Sequence, residues 1–265
     1  MLNKIIDIVK RVAHSEVMPR YLKVAHSRKS DDSLFTEADL ACQQALITAL
    51  TQLAPYPVVG EEMSDEEHQA QWLAGHNGMW CIDPIDGTSN FVNGLPYFAV
   101  SVALMREGRS LMGVIYDPVA DEVFSAEQGQ GAWLNGVKLP ITHHSRQMRQ
   151  TMAGVDLKRI PACIARKIAL DPPFCSQRNF GASTLDWCYV AAGRLDLYLH
   201  GGQKLWDYAA GSLILQEAGG HFSTLKQTDF WTDDPWQRSV IAALNPMLFI
   251  EWREWIAVAE QGLSE

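Results

Sequence analysis

The chain has 265 residues, which allows one large domain or two small ones and a sizeable core without a disulfide or metal staple. Hydrophobic residues make up 47% and charged residues 20%, so global disorder is excluded. The 22 Lys and Arg face 31 Asp and Glu, a formal net charge of −9 that disfavours wholesale binding to nucleic acid or an anionic membrane. An anionic substrate would need local positive charge, from basic side chains or from a metal ion.

Leu2, Ile5, Ile6, Val9, Val12 and Ala13 recur at helical spacing, and Lys4, Asp7 and Lys10 interrupt any apolar run. This predicts an amphipathic helix rather than a signal peptide. After a polar segment, Ser27 to Ser33, a second helix is predicted from an N-cap at Thr36, ended by Pro55 and Pro57. Val58–Val59 reads as a short strand stopping at Gly60-Glu61-Glu62, and Ser64 to Gln71 as an acidic surface stretch. Met79 to Ile82 is an apolar strand ending in a turn, Asp83-Pro-Ile-Asp-Gly-Thr88. Residues 98–104, 111–116 and 122–124 alternate as an antiparallel meander, closed by turns through Gly129 to Gly136.

A polar segment from Thr142 to Gln150 marks a soft boundary between halves 1–141 and 142–265, read as one compact unit. The second half alternates helix (186–192), strand (195–199), helix (207–218) and strand (239–243), then a helix from Met247 to about Glu260. The predicted fold is a layered α/β sandwich. The least polar run, Leu95 to Met105, is too short for a membrane span, which needs about 20 residues. Five scattered cysteines without a CxxC pair read as reduced thiols in a cytoplasmic protein.

Chemistry concentrates in acids at strand ends. Asp83 and Asp86, flanking a proline before a glycine, can converge on one point, where their repulsion favours a cation. Oxygen donors without His or Cys suit Mg²⁺, Mn²⁺ or Ca²⁺ rather than zinc. Glu61 and Glu62 follow a strand and a glycine. Asp207 begins a helix, where it also reads as an N-cap, and Asp39 lies in a helix first turn, where the macrodipole alone favours it.

Trp80-Cys-Ile-Asp-Pro-Ile-Asp-Gly-Thr-Ser-Asn-Phe91 resembles the hallmark motif of the inositol monophosphatase family. Leu205-Trp-Asp-Tyr-Ala-Ala-Gly211 with Glu217-Ala-Gly-Gly220 resembles its second signature. Thr36–Asp39, Gly60–Glu62, Gly129–Gly136 and Gly181–Asp186 follow in the family's order, and the resemblance spans about residues 1–260. It implies a Mg²⁺-dependent, lithium-sensitive phosphomonoesterase, typically a homodimer, with alternating α-β-α-β-α layers.

By the same resemblance Glu61, Asp83 and the Ile85 carbonyl would hold one Mg²⁺. Asp83, Asp86 and Asp207 would hold a second, and Glu61 a third through water, with Mn²⁺ as a substitute. Thr88 and Glu61 would activate the attacking water, Asp39 would pair with Thr88, and Lys29 would stand near the entrance. Gly87 and Thr88 would offer N–H groups to the phosphate, and Ser183, Asp186 and His200 would border the substrate. The resemblance implies a small phosphorylated metabolite of inositol-1-phosphate type; His200 stands where inositol-specific members carry a glutamate, a departure that keeps histidinol phosphate, nucleotide 3′-phosphates and sugar phosphates as alternatives. A second role, as a regulatory protein bound to transcription machinery, is implied by some bacterial relatives. Arg178 reads equally as a charge for the substrate or as a dimer-face residue. His143-His144 reads as solvated, Asp65–Glu67 as a solvated face, and Trp252 with Trp255 as packing.

Overall fold

The computed structural model describes residues 1–23, 26–28, 34–141, 146–232 and 234–261. The first helix, α1 (Leu2–Val12), runs into a π-helical stretch, Ala13–Val17, and buries Ile5, Val9, Val12, Ala13 and Val17 on one stripe. A short ribbon, β1 (His26–Arg28) and β2 (Leu34–Thr36), precedes α2 (Glu37–Leu53). The predicted N-cap is real: Thr36 Oγ1 accepts from Ala38 N at 3.1 Å, and Asp39 Oδ2 accepts from Thr36 N at 2.8 Å.

The first sheet has seven strands in chain order: β3 (Val58–Gly60), β4 (Met79–Asp86), β5 (Ala99–Arg106), β6 (Arg109–Asp117), β7 (Glu122–Glu127), β8 (Gly131–Leu134) and β9 (Val137–Lys138). Only the β3–β4 pair is parallel, so the predicted meander extends to one edge of this sheet. Helices α3 (Asp65–Ala74) and α4 (Thr88–Asn93) flank β4 in sequence.

The second sheet combines β10 (Met152–Val155), β11 (Ser176–Arg178), β12 (Leu197–Gln203), β13 (His221–Ser223) and β14 (Arg238–Ala243) in the order β11-β10-β12-β14-β13. Its helices are α5 (Ala162–Leu170), α6 (Ser183–Ala191), α7 (Leu205–Glu217) and α8 (Pro246–Gln261).

Three apolar clusters define the layers. One joins α1 and α2 to the first sheet through Trp80, Ile82, Val100 and Val102. A second joins both sheets to α6 and α7, which lie between them, through Cys81, Ala103, Trp187 and Tyr198. The third joins α5 and α8 to the outer face of the second sheet through Leu197, Ile241 and Trp252. This is the α-β-α-β-α sandwich expected from the sequence. Trp252 is core, as expected, with its indole N–H on Tyr198 O at 3.1 Å and its ring stacked on Trp255.

Several boundaries differ from the sequence reading. Residues 64–71 lie largely within a helix, opened by a capping box between Ser64 and Glu67, although Asp65–Glu67 is solvated as expected. The predicted strand 195–199 extends to Gln203, because pairing with β14 continues past a register shift between His200 and Gln203. Helix α6 starts three residues earlier than expected, which places Ser183 and Asp186 in its first turn.

Trp187 fixes the middle layer. It is fully buried, meets Tyr198, Phe222 and Phe230 edge-on, and donates from Nε1 to Gln203 Oε1 at 3.0 Å. Trp187→Ala is expected to lower unfolding stability by about 3–5 kcal/mol, read as a reduced midpoint in urea denaturation followed by circular dichroism.

Candidate metal centre

The centre starts with a β-bulge. In a regular strand, side chains three residues apart point to opposite faces. Asp83 pairs with Ser101 and Asp86 with Ala99, so three steps on β4 oppose two on β5. The extra residue returns Asp86 to the face that Asp83 occupies. That face is the one Met79 and Cys81 turn toward α7, whereas Trp80, Ile82 and Ile85 turn toward α1 and α2. Pro84 sits inside the bulge, where the sheet asks for no amide donor.

Asp207 completes the cluster from the first turn of α7. It is the third residue of the helix rather than its N-cap: Lys204 is the cap, and Asp207 Oδ2 accepts from Lys204 N at 2.8 Å. One oxygen from each of Asp83, Asp86 and Asp207 lies within 4.8 Å of the others.

Backbone amides brace each carboxylate. Asp83 Oδ1 accepts from Ile85 N at 3.1 Å. Asp86 Oδ2 accepts from Thr184 N at 2.6 Å and Thr184 Oγ1 at 2.7 Å, at the start of α6. Glu61 stands close enough to Asp83 to disfavour its ionised form.

Burial pushes the Asp83 carboxyl well above the usual carboxylate range, and Glu61, Asp86 and Asp207 push it further. Asp207 is raised first by burial and then by Asp86, against the Lys204 amide. Asp86 rises to about 6 through burial, opposed by its bonds to Thr184. Among the described residues no Lys or Arg forms an ion pair with Asp83, Asp86 or Asp207. A buried, all-oxygen cluster that resists ionising fits a hard divalent cation, which would replace protons as the neutralising charge.

The sequence profile of the inositol monophosphatase family matches residues 2–257. The chain belongs to the inositol monophosphatase family. It is 38% identical over 198 residues to Nus factor SuhB of Pasteurella multocida, covering 72% of each chain. It is 34% identical over 221 residues to inositol-1-monophosphatase of Caulobacter vibrioides, covering 77% of this chain and 80% of that one. Among solved structures, an inositol monophosphatase of Thermotoga maritima superposes with a TM-score of 0.83 at 25% identity, covering 98% of both chains. The SuhB protein of Bartonella henselae does so at 0.81 and 27% identity, covering 96% of this chain and 97% of that one. Members of the inositol monophosphatase family are generally Mg²⁺-dependent.

The other described residues expected of the family stand on or beside α2, α4, α6 and β12 or just after β3. Glu61 follows β3, and its N–H donates to Ile82 O at 3.3 Å, one residue before Asp83. Gly87, at φ +89°, turns β4 into α4; a side chain there would meet Ala182 and Tyr97 O at about 3 Å. The Thr88 hydroxyl donates to Ile85 O at 3.0 Å, while the Asp39 carboxylate receives both the N–H and the hydroxyl of Thr36; no hydrogen bond joins Asp39 to Thr88.

Asp186 is buried and accepts from Tyr97 OH at 3.1 Å; burial holds its carboxyl well above the usual range. His200 is buried, and its Nδ1 accepts from Gly202 N at 3.2 Å, which leaves the ring proton on Nε2, 3.7 Å from Asp156 Oδ2. Burial holds its pKa down to about 4, so it is neutral at pH 7. Arg178 is exposed at the edge strand β11, bonded to Ser176 and Gln177 O. Lys29, His143 and His144 lie outside the described residues.

Sequence reasoning missed two site residues. Thr184, which seats Asp86, lies inside the segment Gly181–Asp186, and a threonine near a helix start was the available signal. Asn90 ties α4 to the second half by donating to Tyr97 O and Phe180 O at 2.7 Å each; it stands in the hallmark motif.

The raised carboxyls carry a pH consequence. A folded-state pKa above the unfolded one means that the folded protein binds the extra proton, so stability falls as pH rises through the folded pKa. For Asp86 the window runs from 3.8 to about 6. In EDTA, the melting temperature of the wild type minus that of Asp86→Asn is expected to decline across this window, and Mg²⁺ is expected to restore wild-type stability above it. A flat difference would contradict the assignment.

Proposed function

We propose that this chain catalyses Mg²⁺-dependent hydrolysis of a small phosphate monoester of inositol-1-phosphate type. The convergence of the buried Asp83 and Asp86 with the half-buried Asp207 in one oxygen cluster is the observation that carries this reading. In it, Glu61, Asp83 and the Ile85 carbonyl hold one cation, Asp83, Asp86 and Asp207 a second, and Glu61 a third through water; Mn²⁺ substitutes. The bound cations supply positive charge for the phosphate and acidify water at neutral pH.

The protein's own groups do the positioning. The Thr88 hydroxyl, whose hydrogen is donated to Ile85 O in a hydrogen bond, has lone pairs left to orient a water for Glu61 to deprotonate. Asp39, fixed by the cap at Thr36, contributes negative charge behind that pair. Gly87 and Thr88 present amides to the phosphate oxygens. By the family resemblance alone, Lys29 would add positive charge for the phosphate.

On the substrate side, Asp186, aimed by Tyr97, accepts from a hydroxyl of the leaving group, with Ser183 beside it. The neutral, donor-bearing Nε2 of His200 suits a polyol oxygen. Histidinol phosphate, nucleotide 3′-phosphates and sugar phosphates are the alternative substrates within this reading, which also takes the protein as a cytoplasmic, lithium-sensitive homodimer. No helix among the described residues is long and apolar enough to cross a membrane.

The likeness to Nus factor SuhB supports a second reading, a regulatory surface for transcription proteins that leaves the acid cluster unused. A panel of phosphate monoesters with Mg²⁺ separates the two. The expected result is phosphate release that vanishes in EDTA and falls by at least about 100-fold in Asp83→Asn, with the fold intact by circular dichroism. Release from no monoester, or full activity in Asp83→Asn, would sink the catalytic reading.

A further inference from the structure

One buried histidine lies outside the roles assigned above. His68, on α3, is 5% exposed, and its Nε2 is 2.8 Å from Gly60 O. A carbonyl only accepts, so Nε2 carries the proton. Gly60 directly precedes Glu61. The same ring packs on Trp206 at 4.9 Å and stacks on Trp236 at 5.4 Å. Trp206 directly precedes Asp207. A single imidazole therefore touches the chain neighbours of two acids, one contributed beside the first sheet and the other from α7.

The Gly60–Glu61 peptide is pinned at both ends. Its carbonyl accepts from His68 Nε2 at 2.8 Å and from Met63 N at 3.2 Å, and its N–H donates to Ile82 O at 3.3 Å. Gly60 also lies where a side chain would come within 2.5 Å of Gln43 Oε1, and that oxygen accepts from Glu62 N at 3.0 Å. Rotating this peptide would swing the Glu61 side chain, and the His68 bond is the restraint supplied by α3. The face of His68 that meets Trp206 and Trp236 fixes where α3 sits against the start of α7. Asp65, fully exposed, is the acid nearest Nδ1, at 3.8 Å.

We propose that His68 is a positioning residue that sets the placement of Glu61 relative to Asp207 and thereby the affinity of the cluster for a divalent cation. This rests on the metal-dependent reading above. Partners behind metal ligands commonly change metal affinity by about 10–100-fold when removed.

The two functions of the ring are separable. His68→Phe keeps an aromatic face for Trp206 and Trp236 and loses the donor; His68→Gln places an amide N–H near the position of Nε2. The expected result is Mg²⁺ binding weakened about 10-fold in His68→Phe, both by calorimetric titration and as the half-saturating Mg²⁺ concentration for phosphate release. At saturating Mg²⁺, kcat and the substrate KM are expected to stay within about threefold of wild type, and His68→Gln to recover Mg²⁺ affinity to within about threefold. If His68→Phe does not fold, His68→Met supplies a donor-free side chain of similar length.

Unchanged Mg²⁺ affinity in the donor-free variant, with only the metal-free melting temperature lowered, overturns the proposal. So does an equal loss in His68→Gln and His68→Phe. A wild type that neither binds Mg²⁺ nor releases phosphate overturns the metal-dependent reading along with it.

Discussion

The structure is organised around a repulsion. Two like charges within 4.8 Å oppose each other by roughly 3–4 kcal/mol at an effective dielectric of about 20, and Asp83, Asp86 and Asp207 are all that close. Burial adds to the cost, because water cannot screen carboxylates held in the middle layer. The protein answers with protons in the absence of other charge, which is why Asp83 and Asp207 sit well above the usual carboxylate range. The rest of the fold can be understood as what keeps these side chains together despite that cost.

Each restraint comes from a regular element beside the centre, mostly through the backbone. The bulge in β4 re-aims Asp86, the Ile85 amide holds Asp83, the Lys204 amide holds Asp207, and the start of α6 holds Asp86. Backbone donors on regular elements move little, so they hold the geometry better than long charged side chains would. The bond from Thr184 to Asp86 also joins the first sheet to α6 at the centre itself. Arg194 and Glu122 add a bidentate pair at the far side of the same interface, with distances of 2.6 and 2.5 Å. The unit that positions the acids is therefore the whole sandwich rather than either half.

Features set by nearby residues were legible in the sequence. The stripe Ile5–Val9–Val12 and the cap at Thr36 need only a few turns of chain, and the alternation in 98–104 needs only one strand. The family motifs pointed to all three aspartates, but the arrangement that lets them meet was not readable. The bulge at Pro84–Ile85 exists only in register with β5. The strand read over 195–199 stopped short because the pairing that carries β12 on to Gln203 comes from Val240 and Arg238, about 40 residues along the chain. Thr184 meets Asp86 across 98 positions of sequence. His68 was hidden in an acidic run, since its neighbours Trp206 and Trp236 are far along the chain and the stretch has little apolar periodicity of its own.

The same logic bears on the substrate side of the cleft. Asp186 lies on α6, two residues after Thr184, and His200 lies on β12, close in sequence to Asp207. A charged histidine there would oppose a cation brought to the neighbouring acids, whereas the neutral ring held by the Gly202 amide does not. A bound cation would instead favour the ionised forms of Asp83, Asp86 and Asp207, reversing the pressure that burial and crowding exert on them. An acidic chain of net charge −9 can then present a positive surface at one point, because a few of its 31 acids are gathered to hold the cation.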